Sequence, residues 1–144
     1  MRFWDSSAIV PLLIDETTSV AAANVLSDDS GMFVWWSTEV ECASAIARAE
    51  RDRRTEHPQT AQALDALASL RRAWVEIEQS GQLRSTAIRL TRTHELRAAD
   101  ALQLAAGLVA AENEPASLRF VTLDDRLALA ADREGFPVLR FDES

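Results

Sequence analysis

Short apolar runs and longer stripes of helical period succeed one another along this chain. Arg2-Phe3-Trp4 reads as a short strand that ends at Asp5. Ser6 to Ile14 follows as a short helix, with Ser6 or Ser7 placed to cap its start. Thr17 to Leu26 predicts a second helix, closed by the turn-like Ser27-Asp28-Asp29-Ser30-Gly31. Phe33 to Trp36 is a compact apolar run between polar residues, the pattern of a buried strand.

The middle of the chain is helical by the same reading. Thr38 to about Arg54 forms one helix, and Pro58 separates it from the next. From Leu64 the apolar residues fall at 64, 67, 70, 74 and 77, a stripe that predicts one continuous helix. Ser80-Gly81 breaks it, and Gln82 to about Leu96 starts another. Ala98 to Glu112 is apolar nearly all round, which predicts a central, buried helix. Pro115 ends that region. Arg119 to Thr122 is a third strand, Asp124 to Glu134 a helix with Gly135 as its C-cap, and Val138 to Phe141 a final strand. Strands alternating with helices imply a parallel α/β sheet covered on both faces. Ligands of such sheets bind beyond the carboxyl ends of the strands, which directs attention to the residues after Trp4, Trp36 and Thr122.

Composition narrows the chemistry. The 144 residues are 47% hydrophobic and 26% charged, an ordinary globular balance for one domain over 1–144. A single cysteine, Cys42, excludes an internal disulfide and a cysteine-based zinc cage, and sets a reducing, cytoplasmic compartment as the expectation. All 15 cationic residues are Arg, so chemistry that needs a lysine is excluded. The net charge of −8 is uneven: residues 1–41 carry −6, residues 42–111 carry +2 and residues 112–144 carry −4. An acidic pocket still holds a polyanion when divalent cations stand between them. The longest uncharged stretch of the second half, 101 to 111, is far too short for a membrane span of roughly 20 residues.

Four acids sit where the strand-end rule points. Asp5 ends the first strand, Asp124 follows the third, Glu41 lies in the first turn of the helix after the second, and Asp100 opens the apolar helix. A carboxylate among apolar neighbours is costly to bury unless something pairs with it. Oxygen ligands alone suit Mg²⁺ or Mn²⁺ rather than zinc. Such carboxylate clusters serve phosphodiester hydrolysis, with Ser6, Ser7 and Thr122 able to support the site through hydroxyls. Plain helix capping competes with this at each position. Thr38 to Glu41 fits a capping box, Thr122 to Asp125 fits another, and Asp100 is placed to cap a helix beginning at Ala101.

These residues resemble a PIN domain, specifically the VapC type found in toxin–antitoxin pairs. Trp4-Asp5-Ser6-Ser7-Ala8 is similar to the family's opening motif, with Asp15-Glu16 at a common acidic spot after the first helix. The stretch Val40 to Arg48 around Glu41, the stretch Leu96 to Ala106 around Asp100, and the stretch Val121 to Leu127 around Asp124 resemble the second, third and fourth acidic motifs in order. Together they run from residue 4 to residue 127. The resemblance implies a PIN-like fold, a short central parallel sheet flanked by many helices. It also implies an Mg²⁺- or Mn²⁺-dependent endoribonuclease, commonly a homodimer, held in check by a small antitoxin. Asp5, Glu41, Asp100 and Asp124 would be both the metal-binding and the catalytic acids. Asp125 is an extra acid, read as a supporting group or a cap, and Gln103 stands where many relatives have His.

Other residues carry less chemistry. Arg84, Arg89, Arg92 and Arg97 against Glu95 give +3 over residues 84–97; their spread helical angles favour a solvated face over an RNA-phosphate track, for which Arg97, one turn before Asp100, is the best candidate. Arg48, Arg51, Arg53 and Arg54 alternate with acids and read as a solvated, ion-paired face. Trp4, Trp35 and Trp36 fall in strands and read as core. His57 and His94 read as surface residues, and Cys42 as a small buried hydrophobe. Two rival functions remain at this level: a PIN-like module that binds RNA or a partner protein without cutting, and a small metal-dependent phosphohydrolase.

Overall fold

The computed structural model describes residues 1–141. Its elements run β1 (Arg2–Trp4), α1 (Ser6–Leu13), α2 (Ser19–Asp28), β2 (Met32–Trp35), α3 (Thr38–Arg51), α4 (His57–Ala73), β3 (Val75–Ile77), α5 (Gly81–Thr93), α6 (Ala98–Ala110), a 3-10 turn (Pro115–Ser117), β4 (Phe120–Val121), α7 (Asp125–Arg133) and β5 (Val138–Leu139). All strand pairings are parallel, in the order β3-β2-β1-β4-β5. The chain winds one way from β1 through β3, then crosses to the other side of β1 for β4 and β5. The switch point, where ligands of such sheets collect, therefore lies between β1 and β4.

Strands this short show no apolar-polar alternation because both faces are covered. Successive side chains point to opposite faces, so neighbours in sequence enter different cores. Phe3, Trp35 and Phe120 pack with Leu83, Leu90, Leu104 and Leu127 of α5, α6 and α7. Trp4, Val34 and Val121 pack with Ile9, Cys42, Ile46 and Leu67 of α1, α3 and α4. Helix α6 is buried along most of its length, and small residues let it sit close to the sheet. At Gly107 a β-carbon would stand 2.8 Å from Phe120 Cε2 and 3.3 Å from Phe136 Cζ. Only hydrogen fits there.

The α/β fold class and parallel sheet agree with expectation, and one strand is additional. The stripe at 64, 67, 70, 74 and 77 is not one helix: α4 ends at Ala73 and Val75–Ile77 form the edge strand β3, paired with β2 from Phe33↔Val75 to Trp35↔Ile77. Two residues also change place. Trp36 lies just past β2 and is 44% exposed, whereas the other three tryptophans are buried. The His94 side chain is covered rather than on the surface, with its Nε2 2.6 Å from Glu134 Oε2; Arg89 reaches the same carboxylate at 2.8 Å. That cluster ties the end of α5 to the end of α7. Among the described residues, no helix is long and apolar enough to cross a membrane.

Candidate metal and catalytic site

Each candidate acid stands at the carboxyl edge of the sheet for a local reason. Asp5 follows β1 directly, is held in the sheet by its N–H to the Val121 carbonyl at 3.0 Å, and is the N-cap of α1. Asp124 ends the β4 connection and caps α7, accepting from the Leu127 N–H at 2.9 Å. Glu41 lies in the first turn of α3 and Asp100 in the first turn of α6. All four line one open cleft of about 480 Å³, together with Ser6, Ser7, Ser37, Ser44, Val10, Val40, Ala45 and Arg48. Acids up to 119 residues apart in sequence thus meet at the switch point of the sheet.

Capping accounts for only part of this. The Glu41 carboxylate caps nothing. It accepts from Ser6 Oγ at 3.1 Å, Ser37 Oγ at 2.7 Å and Gln103 Nε2 at 3.2 Å. Asp100 is not an N-cap either, because α6 begins at Ala98 with Arg97 in the cap position. Asp5 and Asp124 do cap their helices, and they face the cleft as well.

Around Asp5 the serine and threonine hydroxyls form a closed network. Asp5 Oδ2 accepts from the Ser7 hydroxyl, from Thr122 Oγ1 at 2.9 Å and from the Ser7 N–H at 3.3 Å. Ser7 Oγ in turn accepts from the Leu123 N–H, and Thr122 Oγ1 from the Asp124 N–H, so both hydroxyls also fix the β4 connection. Burial pushes the Asp5 carboxyl up to about 6; the Ser7 and Thr122 bonds oppose this, and the Glu41 and Asp100 charges add to it. Asp100 is raised too, by burial first and then by Asp124 and Glu41, against the lowering influence of Arg97 and Arg126. Among the described residues none of the four acids makes a salt bridge. The cleft therefore concentrates negative charge with no protein cation paired to it.

That donor set suits a hard divalent ion, since it offers carboxylate and hydroxyl oxygens only. It is not a finished cage: among the described residues no three His, Cys, Asp or Glu side chains stand in a metal-holding arrangement. Hydrogen bonds hold Glu41 and Asp5 in their present directions. Mg²⁺ tolerates this, because it commonly keeps several waters and takes one or two carboxylates.

Of the supporting candidates, Ser6, Ser7 and Thr122 belong to the cluster, whereas Asp125 does not line the cleft. Asp125 is exposed and pairs with Arg140. Arg97 is exposed and outside the cleft lining, though close enough to act on the Asp100 charge. Three residues around the acids are not among the sequence-based site candidates. Ser37 sits four residues before Glu41, a spacing that puts both on one helix face. Arg48, read as part of a solvated face, lines the cleft. Gln103 lies behind Glu41 rather than on the cleft wall, a fully buried amide between Leu102 and Leu104.

No family model matches the chain, and no curated protein matches it in sequence. Solved structures similar in fold include the following two. PAE2754 from Pyrobaculum aerophilum superposes with a TM-score of 0.63 at 17% identity, covering 96% of this chain and 87% of that one. FitAcB from Neisseria gonorrhoeae superposes with a TM-score of 0.59 at 17% identity, covering 99% of this chain and 97% of that one. At this identity the likeness concerns the fold alone, which among the described residues is an α/β arrangement of five parallel strands between seven helices.

Proposed function

We propose that this chain is a single-domain, metal-dependent endoribonuclease of PIN type, the toxin of a toxin–antitoxin pair. The observation that carries this reading is the cleft itself, where Asp5, Glu41, Asp100 and Asp124 converge without a paired cation. Mg²⁺ or Mn²⁺ bound by these carboxylates would activate water and offset charge on the scissile phosphate. The protein's own groups have separable tasks. Asp5 and Asp100, each raised by burial and neighbouring carboxylates, gain most from a bound cation. Ser7 and Thr122 fix the Asp5 carboxylate, while Ser6 and Ser37 fix Glu41. Arg48 on the cleft wall, and Arg97 near enough to act on the Asp100 charge, would meet phosphates of an RNA strand. A small antitoxin covering this cleft, and a homodimer, complete the proposal.

A second reading, a PIN-like module that binds RNA or a partner protein without cutting, draws on the absence of a ready-made three-ligand set among the described residues. Calorimetric titration of Mn²⁺ into the wild type and Asp100→Asn, with labelled RNA incubated in parallel, separates the two. The nuclease reading expects binding and cleavage in the wild type and loss of both in the variant. Absence of Mn²⁺ binding to the wild type would overturn it in favour of the non-cutting module.

A further inference from the structure

The Gln103 side chain is fully buried in α6, yet only half of its amide is used. Its Nε2 donates to Glu41 Oε2 at 3.2 Å and to Thr38 Oγ1 at 3.1 Å. Its Oε1 has no hydrogen-bond partner among the described residues. The opposite assignment of the amide would turn its carbonyl oxygen toward a carboxylate, so the network fixes which end faces Glu41. A buried carbonyl oxygen without a partner costs stability, whereas an apolar side chain of similar size at that position would not. Packing therefore does not account for an amide here. What the amide does supply is a directed donor, beneath a carboxylate that two serine hydroxyls also hold.

We infer that Gln103 is a positioning residue, which sets the direction of the Glu41 carboxylate in the acidic cleft and so tunes its affinity for a divalent cation. The inference rests on the metal-site reading above and assigns to α6 a role beyond carrying Asp100. Ser6 comes from α1, Ser37 from the turn before α3 and Gln103 from α6, so Glu41 is oriented from three separate elements. Loss of the Gln103 donor leaves the carboxylate held by the two serine hydroxyls alone, and a ligand held less rigidly binds a cation more weakly.

The test compares wild type, Gln103→Leu, Glu41→Gln and the core control Leu104→Val by Mn²⁺ calorimetry and thermal melting, with the Gln103 side-chain amide followed by NMR. Gln103→Leu is expected to weaken Mn²⁺ binding about 10–100-fold, the usual effect of losing a group that orients a ligand, while melting at or above the wild-type temperature. Leu104→Val is expected to do the reverse, melting lower with wild-type affinity. In the metal-free protein, Glu41→Gln should shift the Gln103 amide resonances. Wild-type affinity in Gln103→Leu, with binding lost in Glu41→Gln, overturns the positioning role and leaves the metal site standing. An amide resonance that ignores Glu41→Gln overturns it as well. A wild type that binds no Mn²⁺ removes the metal-site reading, and the positioning role with it.

Discussion

Asp5→Asn should make the metal-free protein more stable while destroying its proposed activity. Asp5 is 3% exposed, and its carboxyl is raised from 3.8 to about 6, chiefly by burial. That difference of roughly two pH units corresponds to about 3 kcal/mol carried by the ionised carboxylate in the folded state. The direction follows from proton binding. The folded protein holds this proton more tightly than the unfolded chain, so stability from this group is complete below about pH 4 and is lost as pH rises toward about 6. Asparagine has no charge to bury, and its carbonyl oxygen can keep the bonds from Ser7 and Thr122, while its NH₂ turns toward Ser6. Weaker bonds to a neutral acceptor offset part of the gain, leaving about 1–3 kcal/mol at pH 7.5. For 144 residues the entropy of unfolding is about 0.3 kcal/mol/K, so the melting temperature should rise by roughly 3–10 °C. The assay is calorimetric melting of both proteins from pH 4 to pH 8 with EDTA present, and then with Mn²⁺. The gap should open between pH 4 and 6, and Mn²⁺ should close it by stabilising the wild type alone. A variant that melts below the wild type at pH 7.5 without metal, or a gap independent of pH, would refute the reasoning.

Three further outcomes are expected. Gly107→Ala should cost about 1–3 kcal/mol, measured by urea unfolding, because the new methyl meets the Phe120 ring and the fully buried β4 cannot retreat; an unchanged midpoint would mean that α6 sits farther from the sheet. Glu134→Gln should lose about 1–2 kcal/mol at pH 7, discounted for the half-exposed Arg89 partner. The Arg89 bond, with His94 helping, holds the Glu134 carboxyl below its ordinary value. That contribution is present above about pH 4.5 and lost as pH falls, so wild type and variant should converge in acid. The Cys42 thiol, fully buried and pushed up to about 12 by that burial, should resist a thiol reagent in the native protein and react at once in denaturant; fast native labelling would show that α3 opens readily.

What could be read in the sequence divides along physical lines. Phe3-Trp4, Val34-Trp35 and Phe120-Val121 are legible as strands because each pair fills two cores at once, which forces continuous apolar runs. The acids at their carboxyl ends were legible for the same reason, since parallel strands between helices leave only that edge for ligands. β3 was hidden because Trp74 and Ile77 prolong the α4 stripe at helical spacing. The signs against a helix were Val75 off the stripe and two β-branched residues in three. As an edge strand it leaves Val75 exposed and its Glu76 paired to Arg71, so it makes no buried apolar run to announce itself.

The site was less legible than the fold because hydrogen bonding has no period. A serine four residues before Glu41 can be noticed, but a donor 62 positions later cannot be assigned to it without the packing of α6 on β2. His94 was misplaced for the same reason, its carboxylate partner lying 40 residues away. Gln103 differs, since a lone amide between Leu102 and Leu104 is a mismatch that sequence alone exposes. Local mismatches of that kind mark positions where a side chain is kept for direction rather than for burial. Here the mismatch points at Glu41, the acid of the four whose carboxylate caps no helix and gathers donors from three elements.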